Sequence, residues 1–226
     1  MSIILSASNL TKIFRHEDQD IMAINNVSLT FEEGTFTAII GRSGSGKTTL
    51  LHLLSSLTSP SSGEVFLYGK KIASLNDAEL SALRRTHIGF VFQKYMLLNE
   101  FTIYENIMLP CIIDKHTIDK AYIDDLLHTL GLWEQRNFYP KQLSGGQIQR
   151  ASIARSLATK PTIIFADEPT GQLDRKSALE VLDLLLLSGR KYNMTIVLVT
   201  HDLKLAQMAD RIVYISNGQL RKEWDD

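Results

Sequence analysis

Residues 41–49 read GRSGSGKTT. They satisfy G-x-x-x-x-G-K-[ST] in full, between a continuous apolar run, TFTAII (35–40), and a helix-like run, KTTLLHLLSSL. A strand before and a helix after are the context in which this pattern binds phosphate. Gly41, Gly44 and Gly46 let the backbone curl so that successive N–H groups face phosphate oxygens, and the helix adds its positive end. Lys47 is placed to bridge β- and γ-phosphates, the Thr48 hydroxyl to hold Mg2+, and Thr49 to reach the α-phosphate. Arg42, Ser43 and Ser45 complete the cradle as candidate nucleotide-binding residues.

A phosphate site of this kind needs an acidic partner. The apolar run TIIFA (162–166) leads into Asp167 and Glu168. A carboxylate at the end of a strand beside a phosphate loop can hold Mg2+, which assigns Asp167. Glu168, one residue on, is the candidate to orient or deprotonate an attacking water. His201 follows the run TIVLVT (195–200), and side chains at the carboxyl ends of parallel strands face the ligand crevice. Its ring N–H suits a γ-phosphate oxygen. Gln93 ends IGFVFQ (88–93) in the same way, and is an uncharged candidate for coordinating Mg2+ or positioning water.

A second glycine-rich stretch, LSGGQ, spans Leu143, Ser144, Gly145, Gly146 and Gln147. Its hydroxyl, small residues and free N–H groups make another anion-binding helix start. One nucleotide needs one such cradle, and the residues alone leave open where the second one points.

The elements that must position these residues follow from periodicity. NNVSLTF alternates, with Val27, Leu29 and Phe31 on one face. SPSSG (59–63) is a loop, and EVFLYGKKI a short strand and turn. NDAELSALRR predicts a helix capped at Asn76 or Asp77. Ile123, Leu126, Leu127 and Leu130 recur at helical spacing before Gly131, and a further helix fits 146–159. Helices are also expected around 177–187 and 203–209, with a hairpin at Asn217–Gly218 in RIVYISNGQLRKEW. Apolar strands alternating with helices predict an α/β fold with a parallel sheet covered on both faces. The helical middle third reads as an insertion. The expectation is one domain with two lobes, a sheet lobe over about 1–80 and 156–226 and a helical lobe over about 81–155.

Composition limits the function classes. The chain of 226 residues is 44% apolar with a formal net charge of −1, ordinary for a globular protein and without the basic surface that nucleic acid requires. Cys111 is the single cysteine, so no internal disulfide is possible, and a reducing compartment fits. The start, MSIILSASNL, has no secretory character, and no window reaches the ~20 apolar residues of a membrane span. Work at a membrane would therefore need another chain to supply the spans.

Taken in order, GRSGSGKTT, Gln93, LSGGQIQR, IIFADEPT, GQLD and Thr200–His201 resemble the nucleotide-binding subunit of an ATP-binding-cassette (ABC) transporter over essentially the whole chain. The resemblance implies a P-loop NTPase fold of the ABC ATPase type: a mixed sheet core, an antiparallel β subdomain and an inserted helical subdomain. It implies ATP and Mg2+ as cofactors, with Lys47, Thr48, Gln93 and Asp167 on MgATP. It also makes Glu168 the catalytic base and His201 a γ-phosphate switch. Phe14, where tyrosine is commoner, would stack on adenine through its ring face. Leu143–Gln147 and Asp174 of GQLD would act in trans, on the nucleotide held by a second copy of the chain. Hydrolysis would release that ATP-glued homodimer. ELSALRRTHIGFVFQKYMLLNEFTIYENIMLP is similar to the compact branch with LolD-, MacB-, FtsE- and BceA-like subunits. That branch implies a separate integral membrane permease, contacted through about Tyr95–Pro110, and a place at the cytoplasmic face of the cell membrane. The competing readings are a non-transport ABC ATPase and a nucleotide-dependent scaffold. No coiled coil separates Lys47 from Ser144, as DNA-repair relatives would have, and one cassette is present where translation-factor relatives carry two.

Overall fold

The structure, a computed structural model, describes residues 2–15, 19–113 and 118–223. Its strands are β1 (Ile3–Phe14), β2 (Ile21–Glu32), β3 (Phe36–Ile40), β4 (Ser62–Leu67), β5 (Lys70–Lys71), β6 (Ile88–Val91), β7 (Ile163–Asp167), β8 (Thr195–Thr200), β9 (Arg211–Ser216) and β10 (Gln219–Arg221). Its helices are α1 (Lys47–Leu54), α2 (Asp77–His87), α3 (Ile103–Ile113), α4 (Lys120–Thr129), α5 (Gly145–Leu157), α6 (Arg175–Lys191) and α7 (Leu203–Ala206). The chain divides into two compact units, Met1–Arg84 with Thr195–Asp226, and Arg85–Met194.

The first unit holds two sheets. One is antiparallel, in the order β2-β1-β4-β5; in the other, β9 and β8 flank β3 in parallel and β10 closes an antiparallel hairpin on β9. The alternation read in NNVSLTF is realised, with Val27, Leu29 and Phe31 buried and Ser28 and Thr30 exposed. Every residue of β3 and β8 is buried, as continuous apolar strands covered on both faces require. Each fully buried Leu, Ile or Phe of this core contributes about 1.5–3 kcal/mol. Asn76 caps α2: its Oδ1 accepts from the Ala78 and Glu79 amides, both at 3.0 Å, and Glu79 accepts in return from the Asn76 amide at 2.9 Å. At the β9–β10 turn Asn217 and Gly218 both have positive φ, 49° and 72°, the type I′ geometry expected of Asn-Gly. Trp224, the last residue of the stretch read as this hairpin, lies outside the described residues.

The second unit pairs β6 with β7 in parallel, Ile88 opposite Ile163 through Val91 opposite Ala166. Helix α3 and strand β6 both pack on α5, and α4 and α5 pack on α6. The segment 95–110, expected to contact a permease, is a loop as far as Thr102; from Ile103 it is helix α3. A capping box starts that helix, with the Thr102 amide donating to Glu105 at 2.7 Å and the Glu105 amide to the Thr102 hydroxyl at 3.3 Å. The preceding loop is held by Asn106, which is fully buried. Its Nδ2 donates to the carbonyls of Leu98, Phe101 and Thr102 at 3.0–3.1 Å, and its Oδ1 accepts from the Leu98 amide at 2.8 Å. Two other boundaries differ from expectation: α6 begins at Arg175 and runs to Lys191, and α7 ends at Ala206.

Candidate nucleotide-binding site

Strand β3 ends at Ile40 and α1 begins at Lys47, so the segment between them must reverse direction within six residues. Gly46 does this with φ +102°, and a Cβ there would stand 2.4 Å from the Ala23 carbonyl oxygen. Gly41 is restricted differently: a Cβ would meet the Ile215 carbonyl at 2.2 Å and Ser45 Oγ at 2.5 Å. The loop is buttressed from the same unit. The Gly218 amide donates to the Ser45 carbonyl at 3.0 Å, and the Asn25 amide donates to the Gly218 carbonyl at 2.8 Å.

Several features of this loop suit an anion. Helix α1 has no side-chain cap and no acidic residue in its first turn, so its terminal N–H groups and positive end are not neutralised locally. Lys47, 6% exposed, turns its ammonium inward, donating to the carbonyls of Gly41 and Arg42 at 2.9 Å each. Ser45 Oγ is buried in the cradle with no hydrogen-bond partner among the described residues. A buried hydroxyl in that condition is destabilising unless a further polar group meets it, and a phosphate oxygen is the acceptor that the surrounding donors favour. Arg42, Ser43, Gly44 and Thr48 are exposed and Thr49 is half-buried.

Sheet register explains which candidates share a strand end. In the first unit Ile40 of β3 lies opposite Thr200 of β8, so Gly41 and His201 leave the sheet at the same edge. In the second unit Val91 lies opposite Ala166, so Gln93 and Glu168, each two residues further on, also leave together. A Cβ built on Gly171 would stand 3.3 Å from Gln93 Nε2 and 3.5 Å from Glu168 Oε2, so both side chains flank that glycine. Glu168 has φ +43°, a left-handed conformation unusual for a residue with a side chain, and its carbonyl accepts from the Gly171 amide at 3.0 Å. Asp167 closes β7 just before it, half-buried. Phe14 ends β1 opposite Ile21, 39% exposed, with the Lys12 ammonium 5.2 Å from its ring centroid.

The LSGGQ stretch is the start of α5, following Leu143. Ser144 is its N-cap: the hydroxyl accepts from the Gln147 amide at 3.4 Å, and the Gln147 side chain accepts from the Ser144 amide at 2.9 Å. The Ser144 hydroxyl thus has a structural task as well as its candidate one. Asp174 caps α6, accepting from the Lys176 and Ser177 amides at 3.0 and 3.1 Å and from the Ser177 hydroxyl at 2.6 Å. Those bonds, the Ser177 hydroxyl first, hold its carboxyl below the usual range. The two caps are neighbours, since a Cβ on Gly146 would lie 3.8 Å from that of Ser177.

Three residues here were given no part in the nucleotide site from sequence. Tyr95 has its hydroxyl 3.4 Å from a Cβ placed on Gly145, Ser177 completes the Asp174 cap, and Arg155 bonds the carbonyls of Tyr95 and Met96. Ser177 carried an indirect signal, since it stands three residues after Asp174, an N-cap residue type whose side chain accepts from the amide at that position. Tyr95 and Arg155 sit in stretches with no spacing that distinguishes them.

Comparison with known proteins bears on the same residues. A family model described as "ABC transporter" matches residues 24–171. The macrolide export ATP-binding/permease protein MacB of Bartonella quintana is 46% identical over 222 residues, 96% of this chain. The chain spans only 33% of that longer relative. The lipoprotein-releasing system ATP-binding protein LolD of Cytophaga hutchinsonii is 43% identical over 220 residues, 96% of this chain and 99% of LolD. Among solved structures, the dimeric bacterial ABC transporter cassette MJ0796 superposes with a TM-score of 0.88 at 38% identity, covering 97% of both chains. The same cassette is known as a dimer in a post-hydrolysis state bound to ADP and Pi, with a TM-score of 0.86. With the family model matching residues 24–171 and LolD 43% identical over 96% of the chain, the chain belongs to the ABC transporter family.

Proposed function

We propose that this cassette dimerises around two ATP molecules with Mg2+ and drives a separate integral membrane permease. The observation that carries the reading is the presence of two glycine-rich helix starts in one chain, the uncapped one at 41–49 and the one capped by Ser144. One serves the nucleotide of its own chain, and the other serves the nucleotide of a second copy. Phe14 stacks on adenine, and residues 41–49 hold the phosphates. Thr48, Gln93 and Asp167 supply oxygen ligands to Mg2+, a hard cation that keeps several waters and takes few protein ligands. Glu168 acts as base toward the attacking water, His201 contacts the γ-phosphate, and Leu143–Gln147 with Asp174 act across the dimer. Bound Mg2+ supplies charge neutralisation for the transferred phosphoryl group.

No helix among the described residues is long and apolar enough to cross a membrane, so the permease reading requires a docking surface. Unit two carries a groove of about 360 Å3 that includes Phe90, Phe92, Leu109, Pro110, Ile113 and Arg155. Met96, Leu98, Phe101, Ile112 and Ile113 add exposed apolar area along 95–113. We assign the permease contact to this face, with the chain at the cytoplasmic side of the membrane. Relatives whose names specify lipoprotein release and macrolide export support an export or extraction task. The test is to mix purified chain with ATP and Mg2+ and follow both phosphate release and elution volume. Hydrolysis abolished by chelation, together with an ATP-dependent shift to dimer size, supports the reading; a chain that hydrolyses ATP yet stays monomeric throughout overturns the clamp.

A further inference from the structure

Arg155 stands in the last turn of α5, where its Nη1 donates to the Met96 carbonyl at 2.5 Å and its Nη2 to the Tyr95 carbonyl at 3.2 Å. No carboxylate pairs with it among the described residues, and burial pulls its pKa down. A half-buried guanidinium without an acidic partner is unfavourable unless its N–H groups are met, and here backbone carbonyls meet them. Apolar side chains fill space of that size without the desolvation cost, so space-filling does not explain an arginine. The turn it holds is itself unfavourable: Met96 has φ +52°, left-handed for a residue with a bulky side chain. That twist lets two successive carbonyls face one planar fork, a geometry arginine matches and lysine does not.

The same turn is gripped at the other end of the helix, where the Tyr95 hydroxyl abuts Gly145 beside the Ser144 cap. Gln93 is two residues from Tyr95, a reach of about 7 Å at most, so the turn sets where the segment that carries Gln93 ends. We propose that Arg155 is a positioning residue for Gln93, tying the segment after β6 to the helix that carries Ser144. This rests on the reading of Gln93 as a magnesium-site residue. Arg155 also borders the groove that includes Phe92 and Leu109, so a partner seated there meets the group that sets the Gln93 segment.

The test compares Arg155→Ala and Arg155→Lys with wild type, as purified full chains. In nucleotide-free protein, amides of 94–98 in Arg155→Ala are expected to exchange with deuterium about tenfold faster while those of 148–153 keep wild-type protection. With ATP, kcat is expected to fall about tenfold with KM for ATP within about threefold, and more Mg2+ is needed for half-maximal rate. Guanidinium ion added at tens of millimolar restores part of the rate to Arg155→Ala, and sodium chloride at the same concentration does not. Arg155→Lys keeps the charge but not the fork and stays impaired. Gln93→Ala, measured alongside, separates the two readings. If it turns over like wild type, the Gln93 role is overturned. If it is slow while Arg155→Ala is fast, the Arg155 assignment alone falls. Unchanged exchange at 94–98, or loss of protection throughout α5 with kcat and KM moving together, also overturns the positioning role.

Discussion

The Gly218 amide donates to the Ser45 carbonyl at 3.0 Å, tying the tip of the last hairpin to the phosphate loop. The two positions are far apart in sequence and belong to the same unit. Gly218 has φ +72°, and a Cβ there would stand 2.7 Å from the Ala23 carbonyl oxygen. Backbone must shift to accept any side chain, and the shift is delivered to Ser45. Gly218→Ala is therefore expected to destabilise the fold by about 1–3 kcal/mol and to weaken nucleotide binding by more than stability loss explains. Chemical denaturation and ATP titration of the variant check both. Wild-type affinity in a destabilised protein would show that the hairpin supports the fold alone.

Glu168 follows the last residue of β7 with a left-handed backbone, which turns the chain sharply and separates its side chain from that of Asp167. Glu168→Gln keeps the shape but turns one acceptor oxygen into an amide donor and removes the basic carboxylate. Turnover is expected to fall about 10²–10⁴-fold. ATP binding persists, so the variant is expected to accumulate as an ATP-bound dimer on a sizing column. Elution as a monomer in excess ATP would move the base role to another group.

The sequence made the chemistry more legible than the scaffold. Strand-end placement of Asp167, Gln93 and His201 follows from apolar runs that stop at polar residues, and the register of β3 with β8 and β6 with β7 agrees. Strand β1 was harder to read, because register shifts around Ala7–Leu10 and the left-handed Asn9 break its period of two. Helix α3 is apolar around most of its circumference and contains Pro110, so neither a one-sided stripe nor clean helix propensity marks it. Arg155 illustrates the limit at the site. Its partners are backbone carbonyls, which carry no sequence signature, and only the folded turn at Met96 brings them within reach.

Asp125 joins α4 to α6 by accepting from the Lys191 ammonium at 2.6 Å and the Tyr192 hydroxyl at 2.8 Å. The Lys191 bond, then that of Tyr192, lowers its pKa below the usual carboxylate value, and Lys191 is raised in return. A depressed carboxylate contributes stability that is present above its unfolded pKa and lost as pH falls through the folded one. The raised lysine contributes below its unfolded pKa and loses that contribution as pH rises through the folded value. Asp125→Asn is therefore expected to lower Tm near neutral pH, with the gap to wild type closing below the carboxylate range. Thermal melts across that range check it. A gap that is constant with pH would assign the loss to packing rather than charge.

Ser144 caps α5 with the hydroxyl that the clamp reading also places against a phosphate. The two roles are separable by charge. Alanine removes both, costing about 1 kcal/mol of helix stability and any contact to the nucleotide. Aspartate is as good an N-cap as serine, and its negative charge favours the positive helix end. Ser144→Asp should therefore fold as stably as wild type and bind ATP as a monomer, because residues 41–49 are untouched. Across a dimer the carboxylate would face the γ-phosphate of the partner's ATP. Like charges brought together out of water repel by far more than a surface pair does. The expected outcome is normal Tm, normal monomer ATP binding, no ATP-dependent dimer and no turnover. A Ser144→Asp chain that dimerises with ATP would show that the LSGGQ start does not face a nucleotide, and would leave its hydroxyl with the capping role alone.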